Sequence, residues 1–229
     1  MPSLSNGHYN AVLFDVDGTL VDTAPDMVAV LQVLQDRHGV AAVDYELGRA
    51  QVSNGALGLL RLGFPAADED DIERLRLEFL DLYATRICER SRLFDGLDGL
   101  LAELEQGDVT WGVVTNKPHA LTVPLLAGLD LAERAACIVS GDTLPQRKPD
   151  PAPLLHACSL AGVAAARTIY VGDASRDIEA GHAAGMGTIA VAYGYITPGD
   201  DASAWGAHDV ARDTEDLAQI LAKAVNLGA

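Results

Sequence analysis

Two carboxylates two residues apart, Asp15 and Asp17, close a short apolar run, Ala11–Phe14, and Gly18 and Thr19 follow at once. On an extended backbone, residues two apart project to the same side, so both acids begin on one face of a strand end. Like charges held that close need a cation or a proton between them. A set of hard oxygen donors suits Mg²⁺, and Gly18 allows the sharp turn behind them. The bland alternative is an acidic turn after a strand, since Asp and Gly are common turn residues. Three more stretches weigh against it. Thr115 ends the apolar run 109–114, Lys148 lies in the loop 141–150 within Arg-Lys-Pro, and Gly172-Asp173 ends another apolar run, with Asp177 one helical turn on.

These residues need elements to bring them together. The run at 11–14 has no polar alternation and reads as a strand buried on both faces. Helical spacing of Met27, Val30, Leu31 and Leu34 predicts a helix over 27–37, with Pro25 in its first turn and Gly39 at its end. A second helix over 45–62 is broken at Ser53-Asn54-Gly55 and ended by Gly63 and Pro65. The acidic cluster 68–71 opens a long helix with Ile72, Leu75, Phe79, Leu82 and Arg86 on one face, the acids complementing its dipole. No strand is expected between Val21 and Leu93, so residues 23–92 form a purely helical insert. From Phe94 onward, strands (109–114, 137–140, 168–171, 188–192) alternate with helices (97–105, 119–127, 152–160, 176–184, 214–225). That repetition predicts an α/β fold, a Rossmann-like parallel sheet sandwiched by helices. Ligands in such sheets sit beyond the carboxyl ends of the strands, which puts Asp15, Asp17, Thr115, Lys148, Asp173 and Asp177 on one rim.

Composition narrows the partners. The 229 residues hold 33 acidic against 16 basic side chains, a formal charge of −17. That field disfavours nucleic acid and anionic membrane surfaces. It also means that an anionic substrate needs local cations, a metal with one or two Lys or Arg. Cys88, Cys137 and Cys158 are odd in number and widely spaced, as in a reduced cytoplasmic protein. The first ten residues are polar without an apolar signal region, and no run approaches a membrane span. The six His residues show no metal-ligand spacing. Gly181 to Gly187 superficially matches a dinucleotide loop, but it ends a helix instead of opening one, so close packing explains it better. Trp205 and Tyr193 could line a pocket, with packing the simpler explanation.

Asp-Val-Asp-Gly-Thr-Leu-Val-Asp (15–22), the Thr115 strand end, Lys148-Pro149 and Gly-Asp-x-x-x-Asp (172–177) resemble, in order, the four motifs of the haloacid dehalogenase-like superfamily in its phosphatase form. The resemblance implies Asp15 as nucleophile and Asp17 as general acid/base, and Asp17 argues against halide displacement. It implies Mg²⁺ held by the Asp15 and Asp173 carboxylates and the Asp17 backbone carbonyl. Thr115 would donate to a phosphoryl oxygen and Lys148 supply fixed positive charge. Asp177 would orient Lys148 or a water on the metal. The reaction is then hydrolysis of a small phosphorylated metabolite through an aspartyl phosphate. One departure stands out: family members often carry Ser or Thr after the Gly-Asp of the fourth motif, where this chain has Ala174, with Ser175 next as a substitute.

The insert matches the helical cap of such phosphatases, giving a catalytic core of 1–22 and 93–229 and a cap of 23–92. Ser53, Asn54 and Gly55 are the expected cap loop facing the nucleophile. Arg49 is a candidate for an anionic substrate group or simply a solvated surface residue, while Asn116 and Lys117 lie near enough to the rim to touch substrate. Within the superfamily the chain most resembles phosphoglycolate phosphatases, and more narrowly relatives acting on N-acetylmuramic acid 6-phosphate, through segments such as 111–118, 148–151, 193–196 and 205–207. Both substrates carry a carboxylate, so the choice stays open. A monomer or weak homodimer is expected. Two rivals share part of this pattern: a sugar-phosphate mutase, which shares every motif, and a phosphoryl-accepting receiver domain, which lacks the helical insert and the last motif.

Overall fold

The computed structural model describes residues 3–5 and 8–227. Met1, Pro2, Asn6 and Gly7, part of the N-terminal segment read as polar, lie outside the described residues.

In chain order the elements are β1 (Ala11–Phe14), β2 (Val21–Asp22), α1 (Ala24–Arg37), α2 (Tyr45–Arg49), α3 (Gly55–Gly63), α4 (Glu69–Ala84), β3 (Arg92–Leu93), α5 (Leu97–Gln106), β4 (Thr110–Val114), α6 (His119–Gly128), β5 (Ile138–Val139), α7 (Ala152–Ala161), β6 (Thr168–Gly172), α8 (Ser175–Ala183), β7 (Gly187–Val191), β8 (Asp209–Ala211) and α9 (Thr214–Val225). Six strands form one sheet in the order β5-β4-β1-β6-β7-β8, every pair parallel. Side chains alternate between its two faces. Val12, Phe14, Trp111, Val113, Ile169 and Val171 pack under α5 and α9, while Leu13, Val114 and Tyr170 pack under α7 and α8. Every residue of β1, β6 and β7 is buried, which is why these strands read as unbroken apolar runs.

The insert between β2 and β3 buries its own apolar stripe. Met27, Leu31 and Leu34 of α1 meet Leu59 and Leu60 of α3 and Ile72, Leu75 and Phe79 of α4, and the cluster reaches the core through Leu121 and Tyr195. Its α4 stripe ends on buried Tyr83, where the sequence pattern placed Leu82 and Arg86, because the helix stops at Ala84. Asp68 caps α4 by accepting from the Asp71 amide at 2.9 Å, so the acidic cluster is a helix start. The break at Ser53 is present: a 3₁₀ turn, Val52–Asn54, precedes α3, and Gly55 leaves it with φ +65°.

Three strand expectations need correction. Val21–Asp22 pairs with Arg92–Leu93 as a two-stranded antiparallel ladder, so the insert leaves and rejoins the core through strand and is not purely helical. Two residues are too few for any periodic signal. Asp26 fastens the same junction, its buried carboxylate accepting from the Arg90 and Ser91 amides and the Ser91 hydroxyl. The sheet also has a sixth strand, β8, at its edge, half-buried and too short to show in the pattern.

Candidate active site

β1 is the middle strand, between β4 and β6, in register Phe14↔Val113 and Phe14↔Val171. Residues one step past these strand ends are therefore neighbours: Asp15 after β1, Thr115 after β4 and Asp173 after β6. The Asp15 amide still donates to Val171 O at 2.9 Å, so the carboxylate leaves a fixed backbone. After Asp17 the chain turns at Gly18 with φ +83°; a Cβ there would fall 2.0 Å from Asp173 Oδ2. Only glycine lets the first loop pass this close to the acid of β6.

Asp15, Asp173 and Asp177 bring carboxylate oxygens within 4.8 Å of one another, all buried. Two cations answer them. Lys148 Nζ donates to Asp177 Oδ1 at 2.7 Å and to Tyr170 Oη at 2.7 Å, and lies 3.0 Å from Asp15 Oδ1 as an ion pair without hydrogen-bond alignment. Arg176, in the first turn of α8, is held near the three acids, which raise its pKa against burial. Burial, then Asp15 and Asp177, push the Asp173 carboxyl up to about 7, against hydrogen bonds from Ser53 Oγ and the Tyr195 amide. Burial raises Asp177 as well, with Lys148 opposing. For Lys148, burial pulls the pKa down, but Asp15 and Asp177 outweigh it and the net shift is upward. Three carboxylates facing two fixed cations leave unneutralised negative charge in a dry site. Asp15 Oδ1 and Asp173 Oδ1 are buried with no hydrogen-bond partner, which is costly unless something binds them. A divalent cation on hard oxygen donors fits; the third carboxylate of the trio is that of Asp177, while the donor expected from Asp17 is its backbone carbonyl, not its carboxylate.

Asp17 sits on the other side of the opening. It accepts from Thr23 Oγ1 at 2.6 Å and from Lys117 Nζ at 3.0 and 3.3 Å. Lys117 Nζ is also 3.1 Å from Tyr83 Oη and stands over that ring, 4.6 Å from its centroid. Burial works to lower the Lys117 pKa, yet Asp17 and Tyr83 raise it overall, and burial pushes the Tyr83 phenol up to about 12. Lys117 is therefore a charged partner of Asp17 that also borders the opening, as its position suggested.

Asp15, Asp17, Thr115, Asn116 and Lys117 line a cavity of about 380 Å³ whose opposite wall comes from the insert. Ser53, Asn54 and Gly55 belong to that wall, as do apolar Met27, Leu57 and Phe79. Lys148, Asp173 and Asp177 stand beside Asp15 but do not line the cavity. Thr115 is buried at its edge, its Oγ1 accepting from the Lys117 amide at 3.2 Å. The side chains of Asn116 and Arg49 both have protein partners. Asn116 spends its side-chain amide on Lys148, donating to its carbonyl (3.0 Å) and accepting from its amide (3.1 Å), so it holds the Lys148 loop. Arg49 does not reach the cavity; it donates to the Tyr193 and Gly194 carbonyls at 3.4 Å and stacks on Tyr195. Nor does Ser175 replace the hydroxyl missing at Ala174, for Ser175 is exposed and the hydroxyl on Asp173 comes from Ser53. Trp205 bonds Asp200 and Tyr193 bonds Thr19 O, both away from the cavity.

Arg176 and Tyr83 are the residues that sequence patterns missed. Arg176 had a usable signal, three residues past Asp173 in the first turn of a helix whose amino end faces the rim. Tyr83 had none, because at helical spacing from Phe79 it reads as core.

Comparisons with known proteins give the family. A sequence model of the haloacid dehalogenase-like hydrolases matches residues 12–191. An N-acetylmuramic acid 6-phosphate phosphatase of Pseudomonas aeruginosa is 44% identical over 216 residues, 94% of this chain and 96% of that protein. A phosphoglycolate phosphatase of Xanthomonas campestris is 43% identical over 197 residues, 86% and 89% of the two chains. Among solved structures, a predicted phosphoglycolate phosphatase from Haemophilus somnus superimposes with a TM-score of 0.83 at 24% identity, over 93% of this chain and 98% of its own.

Proposed function

The chain belongs to the haloacid dehalogenase-like hydrolase family, its curated relatives are phosphatases, and we propose that it hydrolyses a phosphorylated amino sugar of the N-acetylmuramic acid 6-phosphate type. Asp15 attacks phosphorus in line, forming an aspartyl phosphate as the alkoxide leaves. Asp17, on the opposite side of the opening, protonates that alkoxide and then takes a proton from the water that cleaves the intermediate. Lys148, fixed between Asp15 and Asp177, supplies positive charge beside the nucleophile. Thr115 borders the phosphoryl position. The Asp15 and Asp173 carboxylates, with the Asp17 backbone carbonyl, would hold a divalent cation, Mg²⁺ by donor type, while Asp177 orients Lys148 beside them. When bound, that ion offsets the repulsion between an anionic nucleophile and an anionic phosphoryl group. The helical insert acts as a cap, supplying the cavity wall and excluding water.

One observation carries the choice of substrate: the cavity holds about 380 Å³ and has an apolar wall from the insert. A two-carbon phosphomonoester such as 2-phosphoglycolate fills a fraction of that space and leaves the apolar wall idle. A sugar with an acetamido methyl and a carboxylate-bearing side chain matches the volume, the wall and the exposed Arg147 at the lining. Among the described residues no helix is long and apolar enough to cross a membrane. A cytoplasmic enzyme, monomeric or weakly dimeric, is part of the same proposal.

Phosphate release from N-acetylmuramic acid 6-phosphate and 2-phosphoglycolate, with Mg²⁺ and an Asp15→Asn control, tests the proposal. The sugar phosphate is expected to lead in kcat/KM and the variant to be inactive. A lead for 2-phosphoglycolate refutes the substrate assignment, and activity that survives in the variant refutes the mechanism.

A further inference from the structure

We propose that Ser53, on the helical insert, is a positioning residue for the Asp173 carboxylate, so that the cation site is complete only while the insert is seated on the core. The proposal rests on the cation site of the preceding reading. Asp173 Oδ2 accepts two hydrogen bonds, from Ser53 Oγ at 2.5 Å and from the Tyr195 amide at 2.8 Å. Both fall on one oxygen. They fix the rotation of the carboxylate and leave Oδ1, buried and unpartnered, as the oxygen offered to a cation.

The two donors differ in origin. Tyr195 follows β7 and belongs to the core, while Ser53 lies in the 3₁₀ turn of the insert. No core hydroxyl competes, since Ala174 has none and Ser175 faces solvent. The turn itself is fastened to the core by the same residue. Arg176 Nη2 donates to the Ser53 carbonyl at 2.5 Å, so Ser53 is bonded through its side chain to Asp173 and through its backbone to the residue three places on. Gly55 ends the turn with φ +65° and no atom within 4 Å of a would-be Cβ, which shows that backbone conformation, not crowding, selects glycine there. Lifting the insert removes one of the two bonds that aim Asp173 and one anchor of Arg176 together. Cation binding and seating of the insert then favour each other by linkage.

The test is direct cation binding without substrate. Metal-free wild type, Ser53→Ala and Ser53→Thr are titrated with Mn²⁺, following free ion by electron paramagnetic resonance, and amide exchange at residues 52–55 is measured with and without the ion. Ser53→Ala is expected to bind Mn²⁺ on the order of tenfold more weakly, the usual scale for losing a group that orients a metal ligand. Ser53→Thr, which keeps the hydroxyl, is expected to stay near wild type. Mn²⁺ is expected to slow exchange at 52–55 in wild type and not in Ser53→Ala. Unchanged Mn²⁺ affinity in Ser53→Ala overturns the proposal, as does a Thr variant as weak as the Ala one, which assigns the effect to packing. Wild type that binds Mn²⁺ but hydrolyses neither phosphomonoester overturns the proposed function and leaves this positioning role standing.

Discussion

The site has two halves built to one plan from different parts of the chain. In the nucleophile half, Lys148 is buried among Asp15, Asp177 and Tyr170, all on the core. In the acid half, Lys117 is buried between Asp17 and Tyr83, and Tyr83 belongs to α4 of the insert. Each half sets a lysine against a carboxylate and a phenol. The difference is who owns the phenol: β6, inside the sheet, or a helix that packs over the rim. The lysine beside Asp15 is thus held by core residues alone, whereas the lysine beside Asp17 is completed by the insert.

Breaking the first half should cost most. Lys148→Met leaves Asp15 and Asp177 buried without their cation, and a loss of about 3–5 kcal/mol in unfolding free energy is expected. Lys117→Met should cost clearly less, because Asp17 keeps its bond from Thr23 and its side chain is 15% exposed. Equal losses by denaturant titration would erase the distinction. A pH series on metal-free protein probes the same half. Asp173 is pushed up to about 7 and Asp177 is raised too, while the unfolded chain ionises near 4. Through Asp173 the folded state then holds a proton that the unfolded state has released, so stability falls as pH rises from about 4 to 7, by up to about 1.4 kcal/mol per unit, and the raised Asp177 acts in the same direction. Asp173→Asn should flatten that slope, and Mg²⁺ should restore stability at pH 8. A slope that the variant leaves unchanged would locate the effect elsewhere.

The acid half answers in rate. Lys117→Met should lower kcat on the order of 10²-fold, the lower end of what a positioned acid/base contributes, with Mg²⁺ affinity unchanged; a fall in both would merge the two halves. The smallest effect is expected from Tyr83→Phe, which removes one hydroxyl contact worth about 1 kcal/mol, hence less than tenfold in kcat. If Tyr83→Phe matches Lys117→Met, the insert contributes more to proton transfer than this geometry implies.

How much of this was visible beforehand follows the same division. Asp15, Thr115, Lys148 and Asp173 end strands or loops of a sheet whose layout is legible from unbroken apolar runs, and the rule that ligands sit at strand ends did the rest. Asp177 was legible from one-turn spacing. Residues whose partners lie on another element were not. Lys117, Asn116 and Arg49 all read as free polar groups, and each turned out to be consumed by a contact 32 to 145 positions away. No local pattern records such pairings. The strands β2, β3 and β8 escaped for a different reason, being two or three residues long.

The central place of β1 has a consequence for how the chain is made. Synthesis delivers Ala11–Phe14 long before either of its neighbours: Ala11 pairs with Thr110 on one side and Thr168 on the other. At about 5–20 residues per second, the nascent strand waits on the order of ten seconds for its second partner. Until β4 is made, an apolar segment has two open edges, and until β6 is made it keeps one, while the intervening helices can already form from local contacts. The strand that leads into Asp15 is made before both of its neighbours and is among the last to be enclosed. Conditions that slow elongation or crowd the nascent chain should thus reduce the yield of folded enzyme without touching a single residue of its site.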